Sequence, residues 1–179
     1  NAADAHILAG TPDKPFKVTL PTMYEPHLVI RDWGPGLTDE EVREIYCMYG
    51  ASTKRDSNAF NGQLGFGSKS AFSYSDSFQI TSYKDGIESY YEAFIDESQL
   101  GAIALLLSKP TTEADGIKIT VPVKTSDIST FKQTAETLYQ YFTVTPDCSG
   151  ISIRKPTYEL EGKNWGLITQ QNQGYGYQQ

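Results

Sequence analysis

Cysteine is scarce in this sequence: Cys47 and Cys148 are the only two in 179 residues, far apart and without partners nearby. Two such thiols build no disulfide framework, and they suggest a reducing compartment. Histidine is as sparse, with His6 and His27 alone and no Cys/His clustering, so a structural zinc site is not expected. No apolar run approaches the roughly 20 residues that span a bilayer. The longest, Ala102–Leu107, has the length of a buried strand. Positive charge is also short: 15 Lys and Arg against 22 Asp and Glu leave a net charge of −7. Nucleic-acid binders usually present a basic face, so direct nucleic-acid binding is not expected, although a small local anion site is compatible with this balance. No signal-peptide pattern opens the chain. Asn1-Ala2-Ala3-Asp4-Ala5-His6 reads as the middle of a helix, so a fragment of a longer protein is expected.

What is present suits one domain, or one domain and part of a second, with 39% hydrophobic and 21% charged residues. Residues 1–8 read as helix. Phe16–Leu20 alternates with period two, and His27–Ile30 is a more apolar strand running into Arg31-Asp32-Trp33-Gly34-Pro35-Gly36. Thr38-Asp39-Glu40-Glu41 spells a capping box for a helix carrying Val42, Ile45, Tyr46 and Tyr49 on one face, stopped by Gly50. Residues 50–64 are rich in Ser, Asn, Gly and charge, and a mobile loop is expected there. Ser77–Tyr83 and Ile87–Ile95 form a hairpin around Lys84-Asp85-Gly86; Ala102–Leu107 and Gly116–Val123 are further strands. Asp127–Phe142 is an amphipathic helix, Ile151–Arg154 a candidate last strand, and the Gln-, Gly- and Tyr-rich tail from Gln170 is expected to pack poorly. This order predicts an α+β fold: a two-layer α/β sandwich whose mixed, mostly antiparallel sheet carries its helices on one face.

Three motifs carry chemistry. In Asn61-Gly62-Gln63-Leu64-Gly65-Phe66-Gly67-Ser68-Lys69-Ser70, three glycines precede a helix start, which suits an anion held by backbone amides; a structural turn reads the same way. A P-loop is excluded because Ser68 separates Lys69 from the last glycine, and the glycine spacing misses the dinucleotide fingerprint. Asp32 closes a buried strand before two glycines, so it can offer a carboxylate to an amino group, or simply cap a turn. Asn1, Asp4 and Ala5 share a helix face, where an Asn oxygen and phosphate oxygens could share Mg²⁺, or an ordinary alanine-rich helix could pack.

NAADA, then DWGPG, then a mobile loop, then GQLGFG resembles, in order and spacing, the GHKL or Bergerat-fold ATPases of DNA gyrase, heat-shock chaperones, histidine kinases and MutL, over roughly residues 1–123. Within that superfamily, IRDWGPGLTDEEV, YGASTKRDSNAFNGQLGFGSKSAFSYSDSFQITSY and ADGIKITVPV are similar to the N-terminal part of the phage rIIA lysis-inhibition family. The resemblance implies ATP and Mg²⁺ as ligands. It assigns Asn1 to the metal and Asp4 to the lining of the same pocket. Asp32 would bind the adenine amino group, with Gly34 and Gly36 shaping the adenine floor. Ser52, Thr53 and Lys54 would lie in a lid, and Gly62, Gly65 and Gly67, with the amides from Ser68 onward, about the phosphates; Lys69 is a cation where those phosphates would be close, which a solvated lysine explains equally. It places the catalytic glutamate four residues before Asn1, so no residue of this chain is expected to be the general base. Gly116 is followed by Ile117 where many members carry a threonine that contacts the adenine side.

The expected function is that of an Mg·ATP-binding domain, an ATPase in its complete form, in which lid closure controls a dimer or a partner in lysis inhibition. The resemblance implies an rIIB-like partner, association with a membrane, and the cytoplasm of a phage-infected bacterium. Residues 124–179 are read as a continuation or the start of a transducer-like region. A nucleotide-gated interaction module without turnover is the alternative from another class, and a heat-shock-chaperone-like ATPase the alternative within the superfamily. A sensor kinase fits less well, because His6 and His27 both fall inside the nucleotide fold.

Overall fold

Alternation of apolar and polar residues decides the architecture. In β3 (Ser77–Lys84) the side chains of Phe78 and Ile80 are buried while Gln79 between them is exposed. In β6 (Gly116–Pro122), Ile117, Ile119 and Val121 face the same core. Successive strand residues point to opposite sides of a sheet, so one face is apolar and needs a cover. The computed structural model describes residues 1–47, 67–97, 101–162 and 165–168, and of residues 47, 68, 69 and 168 only the backbone.

The remaining elements are α1 (Ala2–Leu8), β1 (Lys17–Thr19), β2 (His27–Arg31), α2 (Asp39–Cys47), a 3₁₀ helix at Gly67–Ser73, β4 (Ile87–Ile95), β5 (Gly101–Pro110), a short 3₁₀ turn at Thr125–Asp127 leading into α3 (Ile128–Tyr139), β7 (Asp147–Ser149), β8 (Tyr158–Gly162) and β9 (Trp165–Ile168). Seven strands form one sheet in the order β5-β4-β3-β6-β2-β1-β7. Neighbours are antiparallel except β1 and β7, which run parallel. β8 and β9 make a separate antiparallel pair. The mixed, mostly antiparallel sheet expected from the sequence is therefore the one observed.

The cover comes in two halves. Val42 and Tyr46 of α2, with Phe72 of the 3₁₀ helix, pack on Phe78, Ile80, Tyr91 and Val121. Ala135 and Tyr139 of α3 pack on Phe16, Val18 and Leu20, with Ala2 and Ala3 of α1 alongside. Leu28 of β2 touches both clusters, so both halves lie on one face of the sheet.

Local chemistry fixes the ends. The capping box forms in both directions: Thr38 N–H donates to Glu41 Oε2 at 2.7 Å, and Glu41 N–H donates to Thr38 Oγ1 at 3.3 Å. Asp39 and Arg43 add an i,i+4 ion pair at 2.9 Å. The hairpin between β3 and β4 turns on Asp85 (φ 51°) and Gly86 (φ 76°), the left-handed pair that a two-residue turn requires.

Two strand expectations need correction. The apolar run Ala102–Leu107 is not a buried strand: it belongs to β5 at the edge of the sheet, and Leu106 is 62% exposed. Among the described residues its leucines have one neighbouring strand, β4. Ile151–Arg154 is not a strand either; the chain pairs with β1 earlier, at Asp147–Ser149, and Gly150 (φ 87°) then turns it away. Tyr49, Gly50 and the tail from Gln170 lie outside the described residues.

Candidate functional site

The site is built where β2 ends. Arg31 and Asp32 are consecutive, so they leave the sheet on opposite faces: Asp32 toward the helices, Arg31 toward the open side. Asp32 N–H continues the ladder by donating to Ile117 O at 2.9 Å. Its carboxylate turns back on the chain. Oδ1 accepts from the amides of Gly34 at 2.9 Å and Ile117 at 3.1 Å. Among the described residues nothing else hydrogen-bonds to this carboxylate, and the residue as a whole keeps 7% of its surface exposed. Burial raises its pKa above the ordinary 3.8, against the pull of those two amides and Arg31. The result is a fixed acceptor with a second oxygen available to a donor.

The glycines after Asp32 answer to the protein itself. A Cβ on Gly34 would lie 2.5 Å from Ala5 Cβ, so the loop touches α1 only because residue 34 has none. Gly36 combines φ 65° with a backbone carbonyl, Tyr83 O, 2.1 Å from where its Cβ would stand. Gly116 likewise admits Asp32 O at 2.2 Å from its Cβ position, with φ 138°. These three close approaches bring α1, β3 and β6 against one loop. Ser82 adds a two-way clasp, donating to Leu37 O at 2.6 Å and accepting from Leu37 N–H at 2.9 Å.

His6 holds the helix side, a role that sequence reasoning missed. It is fully buried. Its Nε2 accepts from Trp33 N–H at 2.8 Å and its Nδ1 meets Lys14 O at 2.7 Å. A carbonyl only accepts and an amide only donates, so the proton sits on Nδ1 and the ring is neutral. One side chain thus ties α1 to the chain both before β1 and after β2. No motif announces it; the signal available was a histidine two residues past Asp4 on a short alanine-rich helix.

At the other end of α1 the first and third motifs meet. A Cβ on Gly67 would lie 3.0 Å from Asn1 Nδ2 and 3.2 Å from Asn1 Oδ1. The Asn1 side chain makes no cap hydrogen bond to its own helix; it lies against the start of the 3₁₀ helix. Asn1, Ala5, Gly34, Asp32 and Gly67 therefore border one region between α1 and the two loops. Asp4 is fully buried on the same helix. Ser52, Thr53, Lys54, Gly62 and Gly65 lie outside the described residues, and of Ser68 and Lys69 only the backbone is described. Among the described residues no group of three His, Cys, Asp or Glu could hold a metal ion, and no helix is long and apolar enough to cross a membrane.

The 3₁₀ helix is fastened beyond itself. Tyr74 OH donates to Asp127 Oδ2 at 2.7 Å and accepts from Lys124 N–H at 3.0 Å. Its ring meets Phe131 edge-on at 5.1 Å. The segment that follows Gly67 is thereby tied to the first turn of α3.

No curated protein matches this sequence. Among solved structures, the ATPase and transducer domains of DNA topoisomerase II from Balamuthia mandrillaris share the fold, with a TM-score of 0.61 at 16% identity. That likeness covers 87% of this chain and 46% of the other, so the present chain spans less than half the length of that structure. In sequence, residues 1–130 match the family described as histidine kinase-, DNA gyrase B- and HSP90-like ATPase. The match takes in α1, the Asp32 loop, the 3₁₀ helix and the strands beneath them, and with it the chain belongs to that GHKL ATPase family.

Proposed function

We propose that this domain binds ATP with Mg²⁺ in the region between α1, the Asp32 loop and the Gly67 helix, and that the complete protein hydrolyses it. The observation that carries the reading is the Asp32 carboxylate, fixed through Oδ1 by two backbone amides. Its second oxygen accepts the adenine amino group. Because Oδ1 is already held, little ordering is left to occur on binding. The phosphates reach Gly67, whose missing Cβ leaves room beside Asn1, and the resemblance assigns Gly62 and Gly65 to the same phosphates. The amides from Ser68 onward, in the 3₁₀ helix, face the same phosphates with Lys69 as a nearby cation, and the resemblance assigns Ser52, Thr53 and Lys54 to a lid. Asp4, fully buried on α1, is the residue that the resemblance assigns to the lining of the same pocket.

The residues present fit a magnesium site shared with a ligand. One amide oxygen, Asn1 Oδ1, stands beside the phosphate end, and Mg²⁺ is commonly held by one or two protein oxygens plus phosphates and water. When bound, the ion neutralises phosphate charge. Hydrolysis further needs a general base to take a proton from water as it attacks the γ-phosphate. The resemblance puts that glutamate four residues before Asn1. The Tyr74–Asp127 link supports a relay of nucleotide state from the Gly67 helix into α3 and residues 124–179.

The finer reading is an rIIA-like role, in which ATP-driven closure controls a dimer or an rIIB-like partner in the cytoplasm of an infected bacterium. It rests on the segments RDWGPGLTDEEV and GQLGFGSKS. Calorimetric titration with a non-hydrolysable ATP analogue, with and without Mg²⁺, tests the site. Binding strengthened by Mg²⁺ is expected, and Asn1→Ala should remove the Mg²⁺ enhancement while leaving weaker, metal-independent binding. Absence of binding at millimolar analogue overturns the reading. Turnover by the complete protein separates an ATPase from a nucleotide-gated module.

A further inference from the structure

The sheet face away from the helices carries a row of cations that folding alone disfavours. Register sets Lys17 of β1 directly opposite Arg31 of β2, and Arg31 directly opposite Lys118 of β6. Three positive side chains thus stand in line across three strands, on the same face. Like charges directly opposite each other destabilise a sheet. The chain as a whole is acidic, with a net charge of −7, so a run of three adjacent cations is not what its composition supplies by default.

The row lies in a cleft of about 540 Å³, within the range of small-molecule sites. Thr19 from β1 and Thr111 and Thr112 from the segment after β5 bring hydroxyls to the same walls. The cleft is also lined by two carboxylates, Glu88 and Glu113, and Glu88 is already engaged. Glu88 accepts from Tyr90 OH and pairs with Lys109 at 3.4 Å. Glu113 lies on the exposed loop that Arg31 anchors: the guanidinium donates to Ala114 O at 2.6 Å and to Asp32 O. The same guanidinium stacks over Tyr83 at 4.1 Å. Arg31 is therefore a fixed, partly committed charge. Among the described residues Lys17 and Lys118 form no ion pair, not even Lys17 with Asp147, its neighbour on β7. Their strands are separated by one intervening strand, about 10 Å in all, and two lysine side chains at that spacing can converge on one ligand above Arg31.

We propose that this cleft is a second binding site, taking a small oxyanion with two or more negative charges. Lys17 and Lys118 grip the anion from either side, and the threonine hydroxyls donate to its remaining oxygens. The site is separated by the thickness of the sheet from the Asp32 region, and it does not depend on the nucleotide reading. A phosphate compound and a polycarboxylate share this chemistry, so both are tested.

The experiment is an amide NMR titration of the full chain with pyrophosphate and, separately, with citrate. Saturable shifts on β1, β2 and β6, at Lys17, Arg31 and Lys118, are expected with at least one of them, and the tighter ligand names the source. The double variant Lys17→Gln, Lys118→Gln removes two charge-assisted contacts and should weaken binding about tenfold or more while its spectrum stays that of a folded chain. Binding should also fall as salt is raised. The proposal is overturned if neither anion saturates by about 10 mM, if the double variant binds equally well, or if the shifts centre on Gly34 and Gly67.

Discussion

Asp32 holds its own loop through Oδ1 and, in the proposed function, adenine through its second oxygen, and substitution separates the two. Asparagine keeps the oxygen that accepts from Gly34 and Ile117, at 2.9 and 3.1 Å in the native chain. It replaces the other oxygen with an NH₂ that cannot accept from an adenine amino group. The free chain should therefore tolerate Asp32→Asn. The sign of its effect follows from burial, which raises the folded pKa above 3.8. A raised folded pKa gives a contribution to stability that is full below pH 3.8 and is lost as pH rises through the raised value. At neutral pH the ionised carboxylate is a cost, so Asp32→Asn should melt at or above the native temperature and show a flatter stability profile in that acid window. Nucleotide affinity should move the other way. Loss of one charge-assisted hydrogen bond, about 1.5–3 kcal/mol, weakens binding about 10- to 100-fold. Asp32→Ala differs in kind, because it leaves two inward-facing amides without an acceptor. At about 1–3 kcal/mol each, with 2–4 °C per kcal/mol for a chain of this size, it should melt roughly 5–20 °C lower. Thermal melts at pH 7 beside calorimetric titrations make the comparison. If Asp32→Asn lowers the melting temperature as far as Asp32→Ala, or binds the nucleotide analogue like the native chain, the division of labour between the two oxygens is refuted.

Gly36→Ala should abolish the native fold of the loop, since a left-handed φ of 65° is joined by a contact of 2.1 Å with Tyr83 O; a collapse of the cooperative melt checks it, and a native-like melt would contradict it. His6→Ala removes the acceptor of Trp33 N–H and leaves a cavity, at a cost of about 2–4 kcal/mol. Denaturant titration reads this, and His6→Gln should recover part of the loss if hydrogen bonding rather than volume dominates. Tyr74→Phe keeps the ring on Phe131 but loses the bonds to Asp127 and Lys124. Amide exchange in the first turn of α3 should accelerate about tenfold, the equivalent of about 1.4 kcal/mol, while exchange in the β3–β4 hairpin stays unchanged.

The sequence disclosed those parts of this fold whose cause is local. The capping box at Thr38–Glu41, the Asp85-Gly86 turn and the period-two strands each need only a few neighbouring residues to be satisfied, and each is observed. Features that depend on position in the sheet were not legible. Leu105–Leu107 has the composition of a core strand, but whether a strand is central or at an edge depends on how distant segments pair, and β5 has only β4 beside it. For the same reason β7 was missed: three residues, Asp147–Ser149, become a strand because β1 offers them an open edge. The candidate site was legible as motifs but not as contacts. Gly34 and Gly36 attract attention as room for a ligand, yet their nearest demands come from Ala5 and Tyr83. His6 carries no motif, because what makes it structural is a carbonyl eight residues on and an amide twenty-seven residues on.

The two proposed sites lie on the two faces of one strand, β2. Period-two alternation sends Asp32 into the layer under the helices and Arg31 to the open face, so neighbouring residues stand in separate environments. They are still linked through the backbone. The Arg31 guanidinium donates to Asp32 O, while Asp32 N–H donates to Ile117 O at 2.9 Å and Asp32 Oδ1 accepts from Ile117 N–H. Any pull on Arg31 from the open cleft acts on the same peptide group that carries the Asp32 carboxylate. Coupling between two sites is reciprocal in free energy. An oxyanion held between Lys17 and Lys118, which competes for the Arg31 charge, should therefore alter nucleotide affinity at Asp32, and nucleotide should alter oxyanion affinity by the same factor. Calorimetric titration of the ATP analogue with and without saturating pyrophosphate, and the reverse, measures both arms. A loss of nucleotide affinity that keeps growing with pyrophosphate concentration instead of levelling off would mean that the two ligands share one site, because mutual exclusion has no limiting coupling factor.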